Sequence, residues 1–180
     1  MVAEARTVRP SACSMGILPP SPPVMAERSR FSLATLGLEI DVVEAPSIDA
    51  ARVALGGRVS SERGAGERVV VSMQRGGDAR GIVICVYGDA RDVWIGEGRF
   101  VRVTSDRVRA TGEGDDELAI VAADARRFAA LSEGDGVRAR RRDGTEVDGK
   151  LMEKCRYGAL VAASGKVLAV SFRQIFAAFS

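Results

Sequence analysis

Arg138, Arg140 and Arg142 alternate along one short segment, with Arg141 between them. Alternate side chains of an extended strand share a face, so these three guanidiniums predict one positive stripe. The planar fork of Arg pairs with phosphates and carboxylates. Lys154, Arg156 and Arg173 follow in the same half of the chain, beside the rings of Tyr157 and Phe172. Cations that meet phosphates and rings that stack on bases are the elements of a nucleic-acid surface. The competing reading is a solvated strand face. From Gly134 to Ser180 there are nine basic residues against five acidic ones, and from Gly66 to Ala110 eight against six. The candidate ligand-binding set is therefore Arg138, Arg140, Arg142, Lys154, Arg156, Tyr157, Phe172 and Arg173.

Other chemistry is thinly represented. The chain has no His, which removes the commonest general base and most zinc and haem ligand sets. Cys13, Cys85 and Cys155 have no metal-ligand spacing, and the last two read as small buried hydrophobes. Glu113, Asp115, Asp116 and Glu117 read as a solvated linker, because no calcium loop has that spacing. Asp89 and Asp92 read as turn formers, and Trp94 as a half-buried packing residue. Gly76-Gly77 and Gly96-Glu97-Gly98 lack the strand-to-helix setting of a phosphate loop. No catalytic centre, cofactor or metal is expected.

The elements that must carry these residues are short. The chain has 180 residues, of which 20 are Gly, with 5% aromatic residues and a net charge of +2. Many Gly between brief apolar runs predict many short strands. No stretch is apolar enough to span a membrane, and five prolines between Pro10 and Pro23 interrupt any signal sequence. The expectation is a cytoplasmic protein. Residues 1–30 read as a disordered, Pro-rich tail, with Met25 as an alternative start.

An internal repeat organises the remainder. Gly66-Glu67-Arg68-Val69 matches Gly134-Asp135-Gly136-Val137. Gly76 meets Gly144, Gly81 meets Gly149, and Val83 meets Leu151. Val93-Trp94-Ile95 is aligned with Ala159-Leu160-Val161, Gly98-Arg99-Phe100-Val101 with Gly165-Lys166-Val167-Leu168, and Arg107-Val108 with Gln174-Ile175. Upstream, Glu39–Val43 and Glu117–Val121 read as strands. Short helices follow near Asp49–Ala54 and Asp124–Leu131, with Asp124 capping the second and its apolar face at Phe128 and Leu131. Asp143-Gly144 predicts a tight hairpin turn, and Gly149 a bend or a close backbone approach. The fold expected is mainly β: two tandem small barrels, each preceded by a strand and a short helix. The units are residues 31–112 and 113–180.

Gly134-Asp135-Gly136-Val137, the Asp143-Gly144 turn, Gly149, Leu151 and the late Phe172 resemble the layout of SH3-like, Tudor-like and Sm-like small barrels. The resemblance covers residues 134–180 and, more faintly, 66–110. It implies a non-catalytic binding module with a protein-interaction or scaffold role. Its alternative is RNA or DNA binding through the basic face of the second unit. Phe172-Arg173-Gln174 stands where the Sm-like bacterial RNA chaperone has an aromatic-Lys-His signature, with Gln174 replacing the His. Glu153-Lys154-Cys155-Arg156-Tyr157-Gly158, preceded by Arg138 and Arg142, faintly resembles the loop of cyclic-dinucleotide-binding PilZ domains. Both signature residues of that loop are altered. The partner is expected to be a protein or a nucleic acid, with ligand identity and oligomeric state left open.

Overall fold

A computed structural model describes residues 40–59, 64–73 and 77–178. The Pro-rich tail and the alternative start lie outside them. The first strand and helix are β1 (Val42–Ala45) and α1 (Ile48–Ala54). Strands β2 (Arg68–Ser72), β3 (Asp78–Tyr87), β4 (Ala90–Trp94) and β5 (Phe100–Thr104) follow. A 3-10 turn at Ser105–Arg107 leads to β6 (Val108–Ala110). Next come α2 (Asp116–Ala130), β7 (Gly136–Arg140), β8 (Glu146–Cys155), β9 (Gly158–Ala163), β10 (Lys166–Ser171) and β11 (Ile175–Ala177).

The chain is mainly β and builds two antiparallel sheets. The first has strand order β5-β4-β3-β2-β6 and the second β1-β10-β9-β8-β7-β11. With β1 set aside, the two orders are the same: the first four strands lie in sequence and the last returns beside the first. Among the described residues the outer strands of each sheet do not pair with one another, so strand pairing alone does not close a barrel.

Both copies share finer features. The long second strand carries an irregularity at the same place, between Val83 and Cys85 and between Leu151 and Glu153. Gly66 N–H donates to Val83 O at 2.7 Å, and Gly134 N–H to Leu151 O at 2.8 Å. The reverse bonds run from Val83 to Glu67 and from Leu151 to Asp135, both at 2.9 Å. Ladder registers equate Val93 with Val161, two places from the sequence alignment at that point. The alignments around Gly98 and Arg107 agree with the registers.

Two expectations are corrected. Glu117–Val121 is not a strand but part of α2, a helix of 15 residues that starts before Asp124. Asp115 caps it, accepting from Leu118 N–H at 2.9 Å, and Asp116 and Glu117 add negative charge to its first turn. The acidic run read as a linker is thus a helix start. In α1 the cap is Ser47, which accepts from Ala50 N–H, with Asp49 in the first turn. The second difference is one of place. β1 belongs in sequence to the first unit, ahead of its other strands, but pairs with β10, opposite Val167–Val170, in the second sheet.

Packing explains the arrangement. The inner face of the first sheet is a cluster of valines: Val69, Val71, Val83, Val93 and Val103. Its other face, with Ile82, Ile84, Trp94 and Phe100, joins one core with α2 and with Leu151, Tyr157 and Phe172 of the second unit. Trp94 is fully buried rather than half-buried. A third cluster lies where α1 covers Cys155, Leu160 and Ala169. Among the described residues no helix is long and apolar enough to cross a membrane.

Gly81 and Gly149 are required by space. A Cβ on Gly81 would lie 2.3 Å from Trp94 O, and one on Gly149 2.6 Å from Ala162 O. Backbone cannot give way as a side-chain end can. Gly81→Ala and Gly149→Ala are each expected to lower the unfolding free energy by about 2 kcal/mol, within the range of core overpacking. Gly136→Ala, whose Cβ would meet Ala178 Cβ at an ordinary 3.7 Å, is expected to change it by less than about 0.5 kcal/mol. Urea denaturation of the three variants checks this.

Candidate functional site

Only part of the expected stripe forms. Arg138 and Arg140 lie on one face of β7, whereas the strand ends at Arg140 and Arg142 lies in the turn beyond it. The charge of the pair is largely answered within the sheet. β7 lies beside β8 with Arg138 opposite Asp148 and Arg140 opposite Glu146. Arg138 Nε donates to Asp148 at 2.8 Å, and its Nη1 lies 3.2 Å from Glu146. Arg140 Nε donates to Glu146 at 2.8 Å, and its guanidinium sits 4.6 Å from the ring centre of Phe176. The bond from Arg138 holds the Asp148 carboxyl below its ordinary range. Arg142 uses its backbone N–H on the Asp41 carboxylate at 3.2 Å. Arg141 and Arg142 are exposed at the tip of the β7–β8 hairpin.

The other candidates do not join this face. Lys154 Nζ donates to Ala129 O at 3.0 Å and to Leu131 O at 2.6 Å, satisfying carbonyls at the end of α2. Its ammonium also lies 4.9 Å from the Phe128 ring centre. Tyr157 and Phe172 are buried in the core instead of facing a ligand: Tyr157 stacks on Phe100 at 4.3 Å, and Phe172 meets the same ring edge-on at 6.2 Å. Burial pushes the Tyr157 hydroxyl up to about 12. Arg173 Nε donates to Asp124 at 3.3 Å and lies over Trp94. Glu153 does not present a free loop carboxylate. It accepts from both Nε and Nη2 of Arg52, at 2.7 and 2.8 Å, and this holds its carboxyl below the ordinary range. The loop at 153–158 also lies beyond the end of β8 that Arg138 faces, so the cyclic-dinucleotide set is not assembled. The Cys155 thiol is buried and pushed up to about 12, which leaves it protonated.

The group that sequence reasoning missed is centred on Asp92. This carboxylate is completely enclosed. Arg102, directly opposite on β5, donates to Oδ1 from Nε at 3.2 Å. Tyr87 O–H donates to the same oxygen at 3.2 Å. Arg156 places its Nε 3.0 Å from Oδ2, an ion pair whose angle is not that of a hydrogen bond. The two guanidiniums lie 5.0 and 4.9 Å from the ring centre of Tyr87. Arg156 belongs to the β8–β9 turn of the second sheet, whereas the other three belong to the first. That turn is itself fastened: Arg156 N–H donates to Gly57 O, and Tyr157 N–H to Leu55 O. The one sequence signal was the placement of a carboxylate between Arg91 and Val93-Trp94, at a position that shares the face of buried Trp94.

Chemically, the cluster couples the two sheets. A buried carboxylate with a perturbed pKa is a candidate acid or base when a cleft exposes it. Here the carboxylate is covered and already engaged by three side chains, which suits positioning. Among the described residues no cluster of three or more Cys, Asp or Glu is placed to hold a metal ion. No protein-family model and no curated protein matches the chain.

Burial raises the Asp92 carboxyl from 3.8 to about 6, against the pull of Arg102. The folded state therefore binds this proton more tightly than the unfolded chain. The cost of ionised Asp92 is full above pH 6 and vanishes below about pH 4. Relative to Asp92→Asn, the natural chain is expected to gain about 2 kcal/mol as pH falls from 7 to 4. Asp92→Ala, which leaves the buried Nε of the partly exposed Arg156 without its counter-ion, is expected to cost about 2 kcal/mol at pH 7. Unfolding curves across this pH range test both.

Proposed function

We propose that this chain is a non-catalytic protein-docking module made of two small SH3-like barrel units joined through a shared core. The observation that carries the reading is the in-sheet pairing of the β7 arginines with Asp148 and Glu146. A phosphate backbone would have to displace those carboxylates, and its attraction falls steeply with salt. A surface of interleaved opposite charges suits a protein partner, where complementary charges set orientation and selectivity. The covered Asp92 and the protonated Cys155 thiol fit a framework role and offer no reacting group. A second reading, nucleic-acid binding, is favoured by one feature: Arg141 and Arg142 stand exposed side by side at the β7–β8 tip.

Two measurements separate the readings. Protein partners captured by the tagged chain from the organism that encodes it are expected to survive nuclease treatment. A labelled single-stranded RNA is expected to show no binding in low salt. RNA binding that weakens by about a hundredfold or more between 50 and 200 mM salt would replace the docking reading with the nucleic-acid one.

A further inference from the structure

The second sheet contains a worked example of strand addition. Its edge strand β10 is covered by β1, which is separated from the unit's other strands by the whole first sheet in sequence. The corresponding edge of the first sheet is β5, and among the described residues no strand pairs with its outer side. The correspondence is residue by residue: Phe100, Val101, Arg102 and Val103 stand where Val167, Leu168, Ala169 and Val170 stand in β10.

The backbone of β5 is oriented for the same addition. Ile95 N–H donates to Arg99 O, and Ser105 N–H to Asp89 O. In an antiparallel ladder the hydrogen-bonded pairs alternate, so Val101 and Val103 turn their polar groups toward β4. Phe100, Arg102 and Thr104 therefore turn theirs to the open side. Among the described residues no backbone bond outside the helices and ladders uses these three. In β10 the equivalent outward residues, Val167 and Ala169, face Ala45 and Val43 of β1. A charged residue commonly blocks such an edge. Here the charge is Arg102, and its guanidinium is drawn back onto Asp92.

Charge specifies the occupant. β1 carries Glu44, which pairs with Lys166 at 2.8 Å. Arg99 occupies the corresponding place beside β5, and its side chain is 54% exposed. Its one ion pair among the described residues is with Glu97, two residues away, at 3.4 Å on the surface, which an incoming carboxylate would share or displace. We infer that β5 accepts, antiparallel, an extended segment of a partner protein that copies β1: small apolar residues flanking one carboxylate that reaches Arg99. This deepens, and rests on, the docking reading. Addition of a strand to a free sheet edge takes affinity from main-chain bonds and selectivity from the side chains that flank them.

The probe is a synthetic peptide of residues 40–46, Ile-Asp-Val-Val-Glu-Ala-Pro, added to the full 15N-labelled chain. Amide shifts are expected at Phe100, Arg102 and Thr104. A peptide with Glu44→Lys is expected to bind about tenfold more weakly, and Arg99→Glu to reverse that preference. Thr104→Pro supplies a backbone test. Thr104 has φ −78°, which proline accepts, and its N–H is not needed by the β4 ladder. This variant is expected to keep its unfolding midpoint and to lose about tenfold in peptide affinity. Absence of shifts at about 5 mM peptide, shifts centred on β10 or β11, or the same shifts produced by self-association of the chain would each overturn the inference. Nuclease-resistant capture of partners undiminished by Thr104→Pro and Arg99→Glu would overturn it while leaving the docking reading intact. Failure of the natural chain to capture any protein after nuclease treatment would sink the docking reading itself.

Discussion

The first sheet is apolar on both faces, and the architecture follows from that constraint. One face closes over its own valines, but Ile82, Ile84, Trp94 and Phe100 on the other face require a cover. Leaving a large apolar side chain in water costs about 1.5 to 3 kcal/mol, and a unit of this size has little stability to set against several of them. α2 and the second sheet supply the cover, with Tyr157 and Phe172 packing on Phe100. The two copies are thus not independent beads. They are halves of one core, which is why Tyr157 and Phe172 are structural.

Repeat and strand order were legible because they rest on local chemistry. Asp143-Gly144 marks a hairpin, and Gly81 and Gly149 mark the point where a long strand passes close to its neighbour's carbonyl. Those residues can be read one at a time. Reading Glu117–Val121 as a strand failed because analogy with Glu39–Val43 overrode a capping signal, Asp115 with two acids after it. The analogy was unsafe because the segments before the two copies do different work. One segment adds a strand and a helix to the distant sheet, and the other packs as a helix in the shared core.

The candidate site was legible in composition but not in contact. Alternation put Arg138, Arg140 and Arg142 on one face, which holds for the first two but not for Arg142, because β7 ends at Arg140 and the hairpin turn begins. It could not show that Asp148 and Glu146 would lie directly opposite, since this depends on the register of β7 with β8. The Asp92 cluster was less accessible still, because three of its members belong to the first sheet and Arg156 to the second. Sequence distance hides such groups, and only the alternation of β4 hinted that a carboxylate would point where Trp94 points.

The two copies solve one problem in two ways, and the comparison gives the Asp92 cluster its meaning. Register equates Tyr87, Asp92 and Arg102 with Cys155, Leu160 and Ala169. In the second sheet those positions are apolar and α1 lies over them, with one ion pair, Arg52 to Glu153, at the margin. In the first sheet no helix lies there among the described residues; the β8–β9 turn does, and it brings one cation, Arg156, to a carboxylate. A turn offers too little apolar area to cover such a patch by burial alone. It does offer direction, because a guanidinium held between a carboxylate and a tyrosine ring has few other places to go. The polar contact therefore sets the angle between the units, while the rings beside it supply cohesion.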